Sequence, residues 1–155
     1  MNEKETSIFF ECLGEIWRDV TAIEFLMRCV IAKKEGESSK FPQPPYNKGK
    51  TYKDYPDSFS HYTLEDIVDK FKKLLPTTQV MQDFVDFRHA MAHGIIAQIN
   101  NSNTEQLIKF NENKKLKELS VEFSLPLETK RLLQLRQSFH ELKGYIMKEL
   151  DDSNK

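Results

Sequence analysis

FVDFRHAMAHGII, residues 84–96, is the stretch whose reading decides the fold. Phe84, Phe87 and Met91 recur at the helical period, so the segment reads as an amphipathic helix with one apolar seam. At 100° per residue, Asp86, His89 and His93 fall opposite that seam, and Arg88 lies at its edge. A guanidinium and two imidazoles are thus gathered on one short helix. Nothing else in the chain concentrates chemistry in this way.

The surrounding chain supplies a helical frame. Over about residues 5–34 the apolar positions Phe9, Leu13, Ile16, Val20, Ile23, Met27 and Val30 alternate separations of four and three, the pattern of a long bundle helix. Ile8, Cys12, Trp17 and Leu26 widen its stripe. Thr63 and Asp66 form a capping box, with Asp in place of Glu, that opens a short helix to Leu75. Its inner face is Leu64, Ile67, Val68, Phe71 and Leu74, and Pro76 ends it. Thr77 or Thr78 is expected to cap the next helix, which runs to about Gly94. Leu132, Leu135, Phe139, Leu142, Ile146 and Leu150 mark a second long helix over 127–150, with a polar, frayed tail after it.

Two stretches break the helical period. Residues 35–62 carry Pro42, Pro44, Pro45 and Pro56 with Gly36 and Gly49, and read as a long loop. Lys40, Lys48, Lys50 and Lys53 interleave within it with Phe41, Tyr46, Tyr52 and Tyr55, and Lys48, Lys50, Tyr52 and Lys53 are the residues considered for single-stranded RNA; the competing reading is a surface loop pinned to the bundle by its aromatics. After Ile95, Ile96 and Ile99, a polar turn at Asn100–Asn103 leads into residues 104–125. Leu107–Phe110 and Leu119–Leu125 read as two strands around a turn at Asn111–Lys115, with a continued helix through 104–120 as the alternative. The expected architecture is one mostly α domain over 1–155: two long helices, a short helix, the motif helix and a small β-hairpin.

Composition excludes several classes. The chain has 155 residues, net charge −1, 39% hydrophobic and 30% charged residues. That balance does not suit a protein that coats nucleic acid by bulk attraction, though it leaves room for a local basic site. No run nears the ~18 consecutive apolar residues of a membrane helix. The polar start MNEKETS is not a secretory leader, so a cytoplasmic protein is expected. Cys12 and Cys29 are then expected to be reduced core thiols.

Arg88-His89-Ala90-Met91-Ala92-His93-Gly94 resembles the Arg-x4-6-His motif of the HEPN family of helical domains. The resemblance implies an HEPN-like bundle and a homodimer with a composite site. It implies metal-independent endoribonuclease activity, with no cofactor, in defence, stress response or a toxin–antitoxin pair. It assigns Arg88 to the phosphate, His93 to proton transfer and His89 to a supporting role. An antitoxin protein is an implied partner. However, the toxin branch whose tyrosine is modified has Tyr two positions after the His, where this chain has Ile95.

The chemistry of the residues agrees with this. Ribose 2′-oxygen attacks its own phosphate when a base takes its proton and a cation braces the added charge. Histidine exchanges protons near neutrality, contributing typically ~10²–10⁴-fold, and arginine presents a fork matched to phosphate oxygens. On one helix Arg88 and His93 lie ~140° and ~7.5 Å apart, so a two-fold pair of helices is better placed to aim both at one phosphate. Three other readings of residues 86–94 compete. They are a solvated face with a structural ion pair, a metal site on Asp86, His89 and His93, and a non-catalytic dimerisation or ligand-binding module.

Overall fold

The computed structural model describes residues 3–42, 44–45, 47–74, 81–98 and 105–152, with side chains described from Thr6 and excepting Met81 and Asp152. Among these residues the chain is mostly helical: α1 (Glu3–Lys34), α2 (Leu64–Leu74), α3 (Met81–His93) and α4 (Thr129–Asp152). Three antiparallel strands, β1 (Ile95–Gln98), β2 (Glu105–Asn113) and β3 (Glu118–Pro126), form a sheet in sequence order. The chain packs as two compact units, one from Met1–Val20 with Val80–Glu141, the other from Thr21–Gln79 with Leu142–Lys155. No helix among the described residues is long and apolar enough to cross a membrane.

The first unit is built on aromatic packing. Phe9, Cys12, Ile16 and Val20 of α1 are buried, as are Phe84 and Phe87 of α3 and Leu132, Leu135 and Phe139 of α4. The ring of Phe139 meets Phe84 at 6.1 Å and 90°, and Phe87 at 5.7 Å and 58°. Such edge and tilted contacts contribute about 0.5–1.5 kcal/mol beyond simple burial. They turn the Phe84–Phe87 side of α3 inward. The expected third seam residue, Met91, is only half-buried, and Ala90 is fully buried in its place.

The end of α3 is tightly closed. Gly94 donates its N–H to the Ala90 carbonyl at 2.6 Å, and the chain then enters β1 directly. A Cβ on Gly94 would lie 2.3 Å from the Ala90 oxygen and 2.6 Å from that of Ile108 on β2. The Ile108 carbonyl comes so close that no side chain fits at position 94 without displacing backbone.

The sheet refines the expected hairpin. β1 pairs with β2 from Ile95↔Ile108 to Gln98↔Glu105, adding to the expected hairpin a strand over residues to which the sequence pattern assigns no element. β2 and β3 pair from Gln106↔Pro126 to Asn113↔Glu118, which rules out a helix through 104–120. The turn falls at 114–117 rather than Asn111–Lys115. It is held by the Leu116 N–H donating to Asn113 Oδ1 at 3.3 Å, with Lys117 at positive φ. A register shift between Lys109 and Phe110 leaves Glu122 as the extra residue opposite, and its carboxylate meets Lys109 Nζ at 3.0 Å. The alternation Val121, Phe123, Leu125 suggests one buried face, yet only Leu125 is buried, because beyond the bulge the ribbon is exposed on both sides.

The second unit is organised on the C-terminal half of α1. Ile23, Met27, Val30 and Ile31 are buried with Leu64, Ile67, Val68 and Phe71 of α2 and Ile146 of α4. The capping box at α2 forms as expected: the Thr63 N–H donates to Asp66 Oδ2 at 2.9 Å, and the Asp66 N–H donates to Thr63 Oγ1 at 3.2 Å. The backbone bond from Thr63, then its hydroxyl, hold the Asp66 carboxyl below its ordinary range. The Thr77 and Thr78 caps, the Pro76 stop, Ile99 and the Asn100–Asn103 turn lie outside the described residues, as does the tail after Asp152.

The long loop 35–62 is pinned rather than loose. Arg28 donates to the Ser58 carbonyl, and Ser58 Oγ returns a bond to the Arg28 carbonyl at 2.9 Å. Phe59 stacks edge-on against Phe25 at 5.6 Å and Phe41 at 6.0 Å. Lys40 bridges Glu37 at 3.1 Å and Asp54 at 3.2 Å. Lys70 of α2 reaches Glu35 at 2.7 Å and the Tyr62 hydroxyl at 2.5 Å, which together push its ammonium up to about 12. This is the loop held by its aromatics, with polar anchors added.

Two expectations follow from this packing. Gly94→Ala forces the new methyl into two backbone carbonyls and should cost about 1–3 kcal/mol, read as a lower urea midpoint at unchanged slope. An unchanged midpoint would show that β1 and α3 can separate freely. Both cysteines are buried, and burial pushes the Cys29 thiol from 9.0 up to about 11. The unfolded chain therefore releases that proton first, and stability declines as pH rises from 9.0 toward about 11. The decline should be shallower in Cys29→Ala, measured by urea titration across that window.

Candidate functional site

The motif residues stand on the last two turns of α3, and their presentation follows from the packing beneath them. Phe84, Phe87 and Ala90 take the inner face. Asp86, Arg88 and His89 are then half-buried at the flanks, and His93 is exposed. The His89 and His93 rings lie 6.5 Å apart, centroid to centroid, in an edge arrangement. His93 is the final residue of the helix, beside the negative end of its dipole. The tight Gly94 junction beyond it fixes where the helix stops and so where that imidazole begins.

This arrangement brings two imidazoles onto one face but does not complete a metal site. Asp86, the third residue of the metal reading, accepts from Gln82 Nε2 at 2.8 Å. Among the described residues no three His, Cys, Asp or Glu side chains converge as metal ligands. Two imidazoles with an arginine on the flank are better suited to moving protons near an anion.

The loop residues considered for RNA are placed in the second unit. Lys50 lies over the Tyr52 ring at 4.9 Å, and both Lys50 Nζ and the Tyr52 hydroxyl donate to the Pro45 carbonyl at 3.3 Å. Lys48 and Lys53 are exposed. Lys50 and Tyr52 therefore spend part of their contact capacity on the loop itself. Tyr46 lies outside the described residues.

A second constellation escaped the sequence reading. Glu15, Arg18 and Asp19 of α1 and Arg136, Gln137 and His140 of α4 line a cleft of about 280 Å³ in the first unit. Asp19 is 1% exposed, a carboxylate on the buried side of a helix. One signal was available: Cys12, Ile16, Asp19 and Ile23 follow the same four–three–four spacing, so an acid interrupts an apolar stripe. Its partner could not be found the same way, because His140 is 121 positions further along.

Metal analysis checks the α3 geometry. Protein loaded with zinc and then dialysed should retain well under one ion per chain, since His89 and His93 supply two ligands where a stable site takes three or four. One zinc per chain, lost in His89→Ala, would restore the metal reading.

No family model matches the chain, and no curated protein or solved structure matches it either.

Proposed function

We propose that this chain is an HEPN-like, metal-independent endoribonuclease that cuts single-stranded RNA at a composite site between two copies. The observation that carries the reading is the end of α3. There Arg88, His89 and His93 share one short helical segment, with His93 on an exposed last turn locked by Gly94. His93 moves the proton of the attacking 2′-hydroxyl, Arg88 braces the phosphate, and His89 orients the pair. Because the nucleophile belongs to the substrate, the protein needs only proton transfer and charge stabilisation.

One helix separates Arg88 and His93 by ~140° around its axis. A two-fold related copy of α3 supplies the complementary residues across an isologous contact. The setting that accompanies this activity is defence, stress response or neutralisation by an antitoxin protein. Ile95 stands where the modified tyrosine of one toxin branch would be, so an antitoxin here acts without that tyrosine.

The test joins mass and activity. Light scattering should give a dimer at micromolar concentration. The same preparation should cut single-stranded RNA in excess EDTA, leaving a 2′,3′-cyclic phosphate and a 5′-hydroxyl. DNA and 2′-O-methyl RNA should resist, as neither offers the nucleophile. His93→Ala should lower the rate by about 100-fold or more, and Arg88→Lys nearly as much, since an ammonium cannot make the forked contact. His89→Ala should be milder. A dimer with no cleavage would instead indicate the non-catalytic dimerisation or ligand-binding module; a monomer that cuts would remove the composite site.

A further inference from the structure

The cleft between α1 and α4 in the first unit brings two carboxylates and two guanidiniums together beside His140. On its floor, Asp19 is sealed from solvent, with 2% of its side chain exposed. Burying an ionised carboxylate is costly unless cations face it. Arg18 Nε lies 3.5 Å from Oδ1, and the ring nitrogen Nδ1 of His140 lies 3.4 Å from Oδ2. Beside them Arg136 Nη1 donates to Glu15 Oε2 at 2.9 Å. The two helices present this in matching four-residue steps, Glu15 with Asp19 and Arg136 with His140.

The rim differs from the floor. The side chains of Arg18, Arg136 and His140 are 65%, 42% and 67% exposed and that of Glu15, paired with Arg136, is 35% exposed, so donors outnumber acceptors at the opening. His140 keeps Nδ1 toward Asp19 while most of its side chain is exposed. The six lining side chains surround a space of about 280 Å³, at the small end of ligand clefts.

We propose that this cleft is a binding site for a phosphate group, either inorganic phosphate or the terminal phosphate of a small monoester. The two guanidinium forks of Arg18 and Arg136 match phosphate oxygens. His140 supplies a third contact, and Asp19 is the positioning residue that holds the imidazole and the Arg18 stem in place. None of Arg88, His89 and His93 lines this space, so the proposal is independent of the ribonuclease reading.

Calorimetric titration of the full chain with inorganic phosphate, and separately with AMP, tests the site. At low ionic strength saturable binding is expected with Kd of about 1 mM or tighter. Arg136→Gln and His140→Ala, both at exposed positions, should each weaken it about tenfold, whereas Arg88→Ala should leave it unchanged. If AMP binds tighter than phosphate and competes with it, the monoester is the ligand class; equal affinity assigns inorganic phosphate. Absence of saturable binding to ~10 mM would overturn the proposal. So would binding that survives Arg136→Gln and His140→Ala together but disappears in Arg88→Ala.

Discussion

Phe139 pressed edge-on against Phe84, and tilted against Phe87, is the contact on which the presentation of the motif depends. It decides which side of α3 is inside. Once Phe84 and Phe87 are committed to Phe139, the residues between and beyond them have no freedom of direction. Arg88 must lie at the flank of the seam, and His93 must emerge on the last turn. An apolar contact with no chemistry of its own thus aims the chemical groups. Losing the Phe139 ring would leave a large cavity under the motif and let α3 rotate, so the candidate site is only as rigid as this core.

Gly94 adds a second constraint at the same place. Helices of ordinary sequence fray over their final turn, which would blur the position of His93. Here β1 begins immediately after the helix and pairs with β2, whose Ile108 carbonyl approaches within 2.6 Å of where a Cβ would sit. The small sheet therefore acts as a clamp on the end of α3. Its outer half, from Phe110 through Val121, is exposed and takes no part in that clamp.

Buried polar groups show a consistent economy in both units. Ser58, fully buried, exchanges hydrogen bonds with the Arg28 side chain and backbone and ties the long loop to α1. Asp19, equally deep, is faced by Arg18 and His140. In each case the buried oxygen is met by nitrogen groups, Arg28 at Ser58 and, at Asp19, the adjacent Arg18 together with His140 of α4, which keeps such burial from being prohibitive. The difference is what surrounds them. The Arg28 cluster closes a loop, whereas the Asp19 cluster borders an open cleft.

The four helices were legible because their signals are local. The stripe from Ile16 to Val30, the Thr63–Asp66 box and the seam from Leu132 to Ile146 each lie within a few turns of one helix, where period and capping act without outside help. The strands β2 and β3 were legible for the same reason, being joined by a short turn. The Arg88–His93 pairing was likewise a matter of spacing on one helix. What the sequence could not decide was whatever depends on segments meeting from far apart. β1 is four residues long and carries no alternation of its own; it is a strand because β2 lies beside it. Ala90 rather than Met91 is the buried residue, just before the chain turns through Gly94 into β1. Asp19 and His140 each look unremarkable in isolation. Their meeting is set by the packing of α1 against α4 within the first unit, since a contact spanning more than a hundred residues is chosen by the shape of the core and not by any pattern along the chain.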